Sequence, residues 1–264
     1  MNNNIIINSE KIISLSGLNP ATRIDLENIV KKFKIKKIVE IGSFVGLGST
    51  QIFLKYCDEI TCIDDFSDEI KYNINFSENN NSKRKFTQLE LFLINTKKNA
   101  KIDLIKMNSQ KAHFKLKDDY YDAVFIDGSH LYEDVFYDII NYYPKVKKNG
   151  LIIGDDCQGS LKKFNKNFII SNLDKNFLPI EKFRYSEIHP GVIMAVSDLL
   201  EGGVKFNNKP ITLDNKNLGY SWIWYFKKTK TNNIIFILNK FFTKIKMLCH
   251  RNFRNFFLLK NNEK

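Results

Sequence analysis

At 264 residues and 43% hydrophobic, the chain can bury a sizeable core, and one domain of roughly 200 residues with appendages suits it. The formal charge of +12 is uneven. Ten of the 41 basic side chains but one of the 29 acids fall in 227–264, leaving 31 against 28 in the body, so the basic character belongs to the tail. Cys57, Cys62, Cys157 and Cys249 show no CxxC and no disulfide framework, the apolar run near the N-terminus is too short for a signal peptide, and no stretch is long and apolar enough to span a bilayer. The expectation is a reduced, cytoplasmic setting.

Two kinds of segment alternate from residue 20 onward. Asn19-Pro20 offers a cap and first turn for a helix over 21–33. KIVEI (37–41) is the first expected strand, STQIFLKYC (49–57) a helix, and EITCID (59–64) the second strand. The polar, Asn-rich 65–85 is expected to be a mobile excursion. FTQLELFLINT (86–96) is a third helix, KIDLIKM (101–107) the third strand, DAVFID (122–127) the fourth, and YEDVFYDIINYY (132–143) the fourth helix. Lys148-Asn149-Gly150 is a turn signal before the fifth strand, GLIIGD (150–155). After Asp156 comes a long insertion, then HPGVIMAVSDLL (189–200) as a helix, then KPITL and SWIWYF as two last strands, paired as a hairpin. This alternation predicts an α/β, Rossmann-like, doubly wound, mostly parallel seven-stranded sheet with helices on both faces. The domain is expected over 1–227, with 228–264 as a basic amphipathic tail.

The first strand runs into EIGSFVGLGST, whose glycines let backbone approach a ligand closely. The spacing G-x-x-x-G-x-G is not the dinucleotide pattern, so a nicotinamide oxidoreductase is disfavoured. The second strand ends in Asp64-Asp65, placed to accept from both hydroxyls of a ribose. Loop and acid together suggest a nucleoside-like cofactor, with a tight turn in some other α/β fold as the alternative.

The stretch AVFIDGSHLYEDV (123–135) ends a strand on an acid, a glycine and a histidine, and Asp155-Asp156 ends the next. Ligands collect at strand carboxyl ends where the strand order reverses. Three carboxylates converging there must share a proton or bind a cation, and oxygen ligands of this number suit Mg²⁺. His130, in the turn after Asp127, could accept a proton at neutral pH. Asp127 as a helix cap, His130 as a surface turn residue and Asp155-Asp156 as a solvated turn are the alternatives.

E-I-G-x-x-x-G followed by an acid ending the next strand resembles class I S-adenosylmethionine-dependent methyltransferases. The resemblance implies that Glu40 lies near the methionine amino end and that Gly42, Ser43 and Gly46 shape the cofactor floor. It also implies Asp64 on the ribose and Ser109 beside the adenine. F-I-D-G-S-H-x-Y-E with a later G-D-D is similar to a narrower group that includes metal-dependent sugar O-methyltransferases. By that resemblance Asp127, Asp155 and Asp156 hold Mg²⁺, Asp127 also serving the cofactor and the chemistry, and His130 is the base. His189 would come near the substrate mouth. The Asp127-Gly128-Ser129-His130 run replaces the Asn/Asp-Pro-Pro-aromatic motif usual for nucleic-acid N-methyltransferases. The implied activity is methyl transfer to a hydroxyl of a sugar or glycan precursor; a metal-independent methyltransferase and a non-catalytic cofactor-binding protein remain as alternatives.

In the tail, apolar residues at 234, 238, 241, 245 and 248 alternate with Lys240, Lys244, Lys246, Arg251 and Arg254. That pattern makes an amphipathic helix suited to an anionic membrane interface, or to packing on its own domain or a second subunit. No nucleic-acid module is recognisable, so nucleic acid is not an expected partner.

Overall fold

The computed structural model describes residues 18–67, 74–75, 83–84, 86–179, 187–207, 210–213 and 216–261, with the side chains of the last helix described through Ile245. Helix α1 (Pro20–Phe33) is capped by Asn19, whose side chain accepts from Thr22 N, with Pro20 in its first turn. There follow β1 (Lys37–Ile41), α2 (Ser49–Tyr56), β2 (Glu59–Asp64), α3 (Gln88–Asn95) and β3 (Ile102–Lys106). Next come the single turn α4 (Ser109–Ala112), β4 (Tyr121–Ile126), α5 (Tyr132–Tyr142), β5 (Val146–Gly154) and α6 (Lys166–Ile170). The chain closes with α7 (Pro190–Leu200), β6 (Val204–Phe206), β7 (Trp224–Lys227) and α8 (Lys230–Asn261).

One seven-stranded sheet has the order β6-β7-β5-β4-β1-β2-β3. The five strands β5-β4-β1-β2-β3 are parallel; β7 adds antiparallel to β5, and β6 antiparallel to β7 at that edge. Strand alternation distributes the core to both faces. Val39, Ile41, Val124, Ile126 and Ile152 pack under α5 and α7, while Ile38, Ala123, Phe125, Leu151 and Ile153 pack under α1 and α2. The chain leaves β1 toward β2 on one side and finds β4 on the other. The strand order therefore reverses between β1 and β4, where a crevice opens.

Two expectations are corrected. Lys148-Asn149-Gly150 does not precede the fifth strand but lies inside it. Asn149 has φ 66° and the β4–β5 register shifts between Tyr121 and Ala123, so these residues make a bulge. The last two predicted strands are not partners. Pro210–Leu213 pairs with Lys216–Tyr220, and Trp224–Lys227 pairs with β5 and β6. Most of 65–85, the expected excursion, lies outside the described residues, as does the side chain of Cys249; Cys57, Cys62 and Cys157 are free and buried.

Candidate active site

The glycine loop begins where the parallel ladder runs out. Gly42 N donates to Ile63 O at 2.9 Å and Asp127 N to Ile41 O at 3.0 Å, which ties the loop to its two neighbouring strand ends. Gly42 has φ 83°, and a Cβ there would stand 2.0 Å from the Asp127 carbonyl oxygen, so both conformation and space require glycine. The Asp64 carboxylate accepts from Phe44 N at 2.8 Å, Phe66 N at 2.7 Å and Gln88 Nε2 at 3.2 Å. It pins the loop and still lines the crevice, a cavity of about 540 Å³. Gly42, Ser43, Gly46, Asp64, Ser109, Asp127, His130 and Asp156 all line it.

Glu40 does not reach this cavity. Strand alternation turns it with Ile38 toward α2, where it is fully buried and accepts from Ser49 Oγ and, at 2.7 Å, from Thr50 Oγ1. It fastens the start of α2 beneath the loop. Its carboxyl is raised by burial, against those hydroxyl bonds and the Cys62 thiol.

Asp127, at the end of β4, is held well above the usual carboxylate range by burial and then by the charges of Asp155, Asp156 and Glu40. Asp155 is buried and likewise raised by burial and by Asp156. Asp156 goes the other way. Burial would raise it, but the hydrogen bond from His130 and the nearby charge of His189 and His130 pull it below its ordinary value. Its backbone sits at φ 60°, the left-handed region, an uncommon conformation that accumulates at functional sites.

His130 Nε2 lies 2.8 Å from Asp156 Oδ2, and its Nδ1 lies 3.0 Å from Asn176 Oδ1, so both ring nitrogens face oxygen acceptors. Burial opposes the charged ring, but Asp156 and then Asn176 outweigh it and the pKa moves up. His189 stands behind, with its ring centroid 4.7 Å from that of His130. It is buried, pushed down to about 4 chiefly by burial, and clamped by Gln158, whose Nε2 is 3.0 Å from its Nδ1 and whose Oε1 accepts from His189 N at 3.0 Å. Among the described residues, the potential ligand atoms within 4.8 Å of one another belong to His130, Asp156 and His189. The structure thus brings Asp127, Asp155 and Asp156 to adjacent strand ends without gathering their oxygens into one such group, and Asp155 sits behind the cavity wall.

Four contributors were not legible beforehand. Asn176 comes from the long insertion. Gln158 lies just past the acid pair. Trp224 Nε1 donates to Asp155 O at 3.1 Å, and its ring covers Gly154, where a Cβ would stand 2.4 Å away. Asp138, on α5, lines the cavity beside Ser109; its Oδ1 is buried without a partner and burial pushes the carboxyl up to about 7 against a hydrogen bond from the Ser109 side chain.

An acid at the end of β2, a close-approach glycine loop and the Ser109 and Asp138 side chains across the cavity fit a nucleoside cofactor with a charged tail. The sheet order is that of the Rossmann-like fold of class I S-adenosylmethionine-dependent methyltransferases. Residues 39–157 match a family described as "Methyltransferase domain", which spans less than half of the chain. A solved protein of Corynebacterium glutamicum shares the fold at TM-score 0.50 and 12% identity, with 83% of this chain and 87% of that one covered. An O-methyltransferase from Bacillus cereus in complex with S-adenosylhomocysteine aligns at TM-score 0.49 and 14% identity, covering 85% and 93%. The N-methyltransferase NodS from Bradyrhizobium japonicum aligns at TM-score 0.46 and 11% identity, covering 79% and 88%. No curated relative matches the sequence.

Proposed function

We propose that the protein transfers a methyl group from S-adenosylmethionine to a hydroxyl of a sugar or glycan precursor, with His130 as the base. The observation that carries this is the His130–Asp156 pair opening into the same cavity as the glycine loop. Gly42, Ser43 and Gly46 would lie under the cofactor, Asp64 would meet its ribose hydroxyls, and Ser109 and Asp138 its adenine. Bound there, the cofactor supplies an electrophilic methyl. The chain's part is to hold the acceptor oxygen in line with it, which removes much of the entropic barrier.

In the base role, His130 keeps Nε2–H on Asp156 Oδ2, 2.8 Å away, and the acceptor hydroxyl takes the place of Asn176 Oδ1 at Nδ1, which receives its proton; Asp156 then stabilises the imidazolium. The wall around His130 is polar, built from Ser129, Asp156 and Asn176, and this supports a hydroxyl-rich acceptor. Asp127 and Asp156 line the cavity and could hold a hard divalent cation such as Mg²⁺, and the burial and neighbouring carboxylate charge that raise Asp127 would be relieved by such a partner. When bound, a cation would make an acceptor hydroxyl more acidic. A metal-independent version is favoured by one observation: Asp156 already has a partner in the His130 ring, whose Nε2 is 2.8 Å away.

The test is methyl transfer from labelled cofactor to sugar nucleotides and glycan extracts, with and without EDTA. His130→Gln is expected to lower kcat by about 10²–10⁴-fold while calorimetry shows unchanged cofactor affinity. A variant with near-normal kcat would remove His130 from the chemistry, and turnover unchanged by EDTA would select the metal-independent version.

A further inference from the structure

Helix α8 carries a surface that methyl transfer does not use. One face is turned to the body. Phe236 stacks on Tyr143 with centroids 3.8 Å apart, Asn239 Nδ2 donates to Leu199 O at 3.3 Å, and Thr243 Oγ1 donates to Asp198 O at 3.3 Å. The opposite face holds Ile234, Ile237, Leu238, Phe241, Phe242 and Ile245, each between 42% and 60% exposed. At 100° per residue these six fall on one arc about 140° wide. Among the described residues they are half of the large exposed apolar side chains, and the other six are scattered over several elements. Single exposed apolar residues are ordinary; a continuous stripe marks an interaction surface.

The charge around the stripe decides its occupant. Lys240 and Lys244 follow one edge of it, and no acid occurs from Lys227 to Asn262. A second copy of the helix laid on this face would bring two wholly basic segments within a Debye length with nothing to compensate them. An anionic lipid surface compensates every one of these charges and takes the apolar side chains into its acyl boundary. No helix among the described residues is long and apolar enough to cross a membrane, so the geometry is that of a helix lying in the interface plane.

We infer that α8 binds the surface of an anionic lipid bilayer through the stripe Ile234–Ile245, its lysines at the headgroup phosphates, holding the catalytic domain at the membrane. The test is co-sedimentation of the full-length protein with vesicles of phosphatidylcholine alone and of phosphatidylcholine mixed with phosphatidylglycerol, at low and high salt. Expected are a preference of at least about tenfold for the anionic vesicles, loss of that preference in high salt, and a drop of about tenfold or more in Phe241→Glu/Phe242→Glu. Lys240→Glu/Lys244→Glu should lose the anionic preference alone. All four side chains are solvent-facing or at the helix edge, so unchanged circular dichroism and melting temperature will show that the variants fold. Equal binding to both vesicle types, or binding untouched by Phe241→Glu/Phe242→Glu, overturns the inference. So does a dimer in solution that Phe241→Glu/Phe242→Glu converts to monomer without any vesicle binding, which would give the face to a second copy.

Discussion

Asp138→Asn separates what the site needs from what the fold prefers. The Asp138 carboxyl is 2% exposed, its Oδ1 has no partner, and burial holds it at about 7 instead of its ordinary 3.8. Below pH 3.8 the acid is neutral in both the folded and unfolded chains and contributes no difference. Between 3.8 and about 7 the unfolded chain releases a proton that the folded chain retains, so stability falls as pH rises; above 7 the full cost persists. At about 1.4 kcal/mol for each tenfold change in ionisation, that cost is on the order of 4 kcal/mol. Asn keeps the shape and can still accept from Ser109, but never ionises. The variant should therefore be more stable than wild type at pH 8, by roughly 2–4 kcal/mol in urea unfolding, and about equal to it near pH 4. Asp138 also faces the cavity beside Ser109, where the adenine amino group would donate to it. Exchanging a charged acceptor for a neutral one should weaken cofactor binding by about 1 kcal/mol, roughly fivefold by calorimetry. Stability–pH curves that run parallel for the two proteins, or an Asn variant less stable at pH 8, would refute the reasoning.

Gly42→Ala places a Cβ 2.0 Å from the Asp127 carbonyl oxygen at φ 83°, whereas Gly46→Ala meets movable atoms of Thr96 and Phe92 at 2.9 and 3.0 Å. Gly42→Ala should cost more than about 2 kcal/mol and abolish cofactor binding, with Gly46→Ala milder in both; thermal melts and calorimetry would expose the reverse order. Trp224→Phe leaves the buried Asp155 carbonyl without its 3.1 Å donor, costing about 2 kcal/mol, or a fall in Tm of roughly 4–8 °C. An unchanged Tm would mean that the edge strand does not support the acid pair.

The central strands were readable because both faces of a parallel sheet are covered, so KIVEI and EITCID are β-branched and apolar almost throughout. Asp127, His130 and Asp156 were readable because polar residues that interrupt such runs at a strand end have to face a crevice. Glu40 misled for the same reason. It interrupts a strand two places before the loop, but alternation aims it at the Ser49 and Thr50 hydroxyls of α2. Asn176 was hidden in an Asn-rich insertion where no local pattern singles it out. Asp138 resembled an ordinary polar position on an amphipathic helix until α5 was set against Ser109 and Tyr142 OH was found on the Ser109 carbonyl at 2.7 Å. The final hairpin failed because Lys216–Tyr220, with its glycine and lysine, has little strand signature. The apolar WYF of SWIWYF pairs instead between β5 and β6, where it is largely buried.

The two neighbouring acids after β5 are given opposite tasks by one backbone feature. The positive φ of Asp156 turns the chain between them. Asp155 stays in the interior, its oxygen accepting from Asp156 N at 2.8 Å and its carbonyl held by Trp224. Asp156 is delivered to His130 and to the cavity. Environment then drives their pKa values apart, up for Asp155 and down for Asp156, which is how adjacent carboxylates acquire distinct roles. The same turn is closed from the other side by α7. A Cβ on Gly191 would stand 2.3 Å from the His130 carbonyl oxygen, so only glycine lets the HPG segment press against the histidine's loop while His189 backs Asp156. The His130–Asp156 pair is therefore held by contacts from β4, β5, the insertion and α7 at once, which limits how far His130 can stray from Asp156.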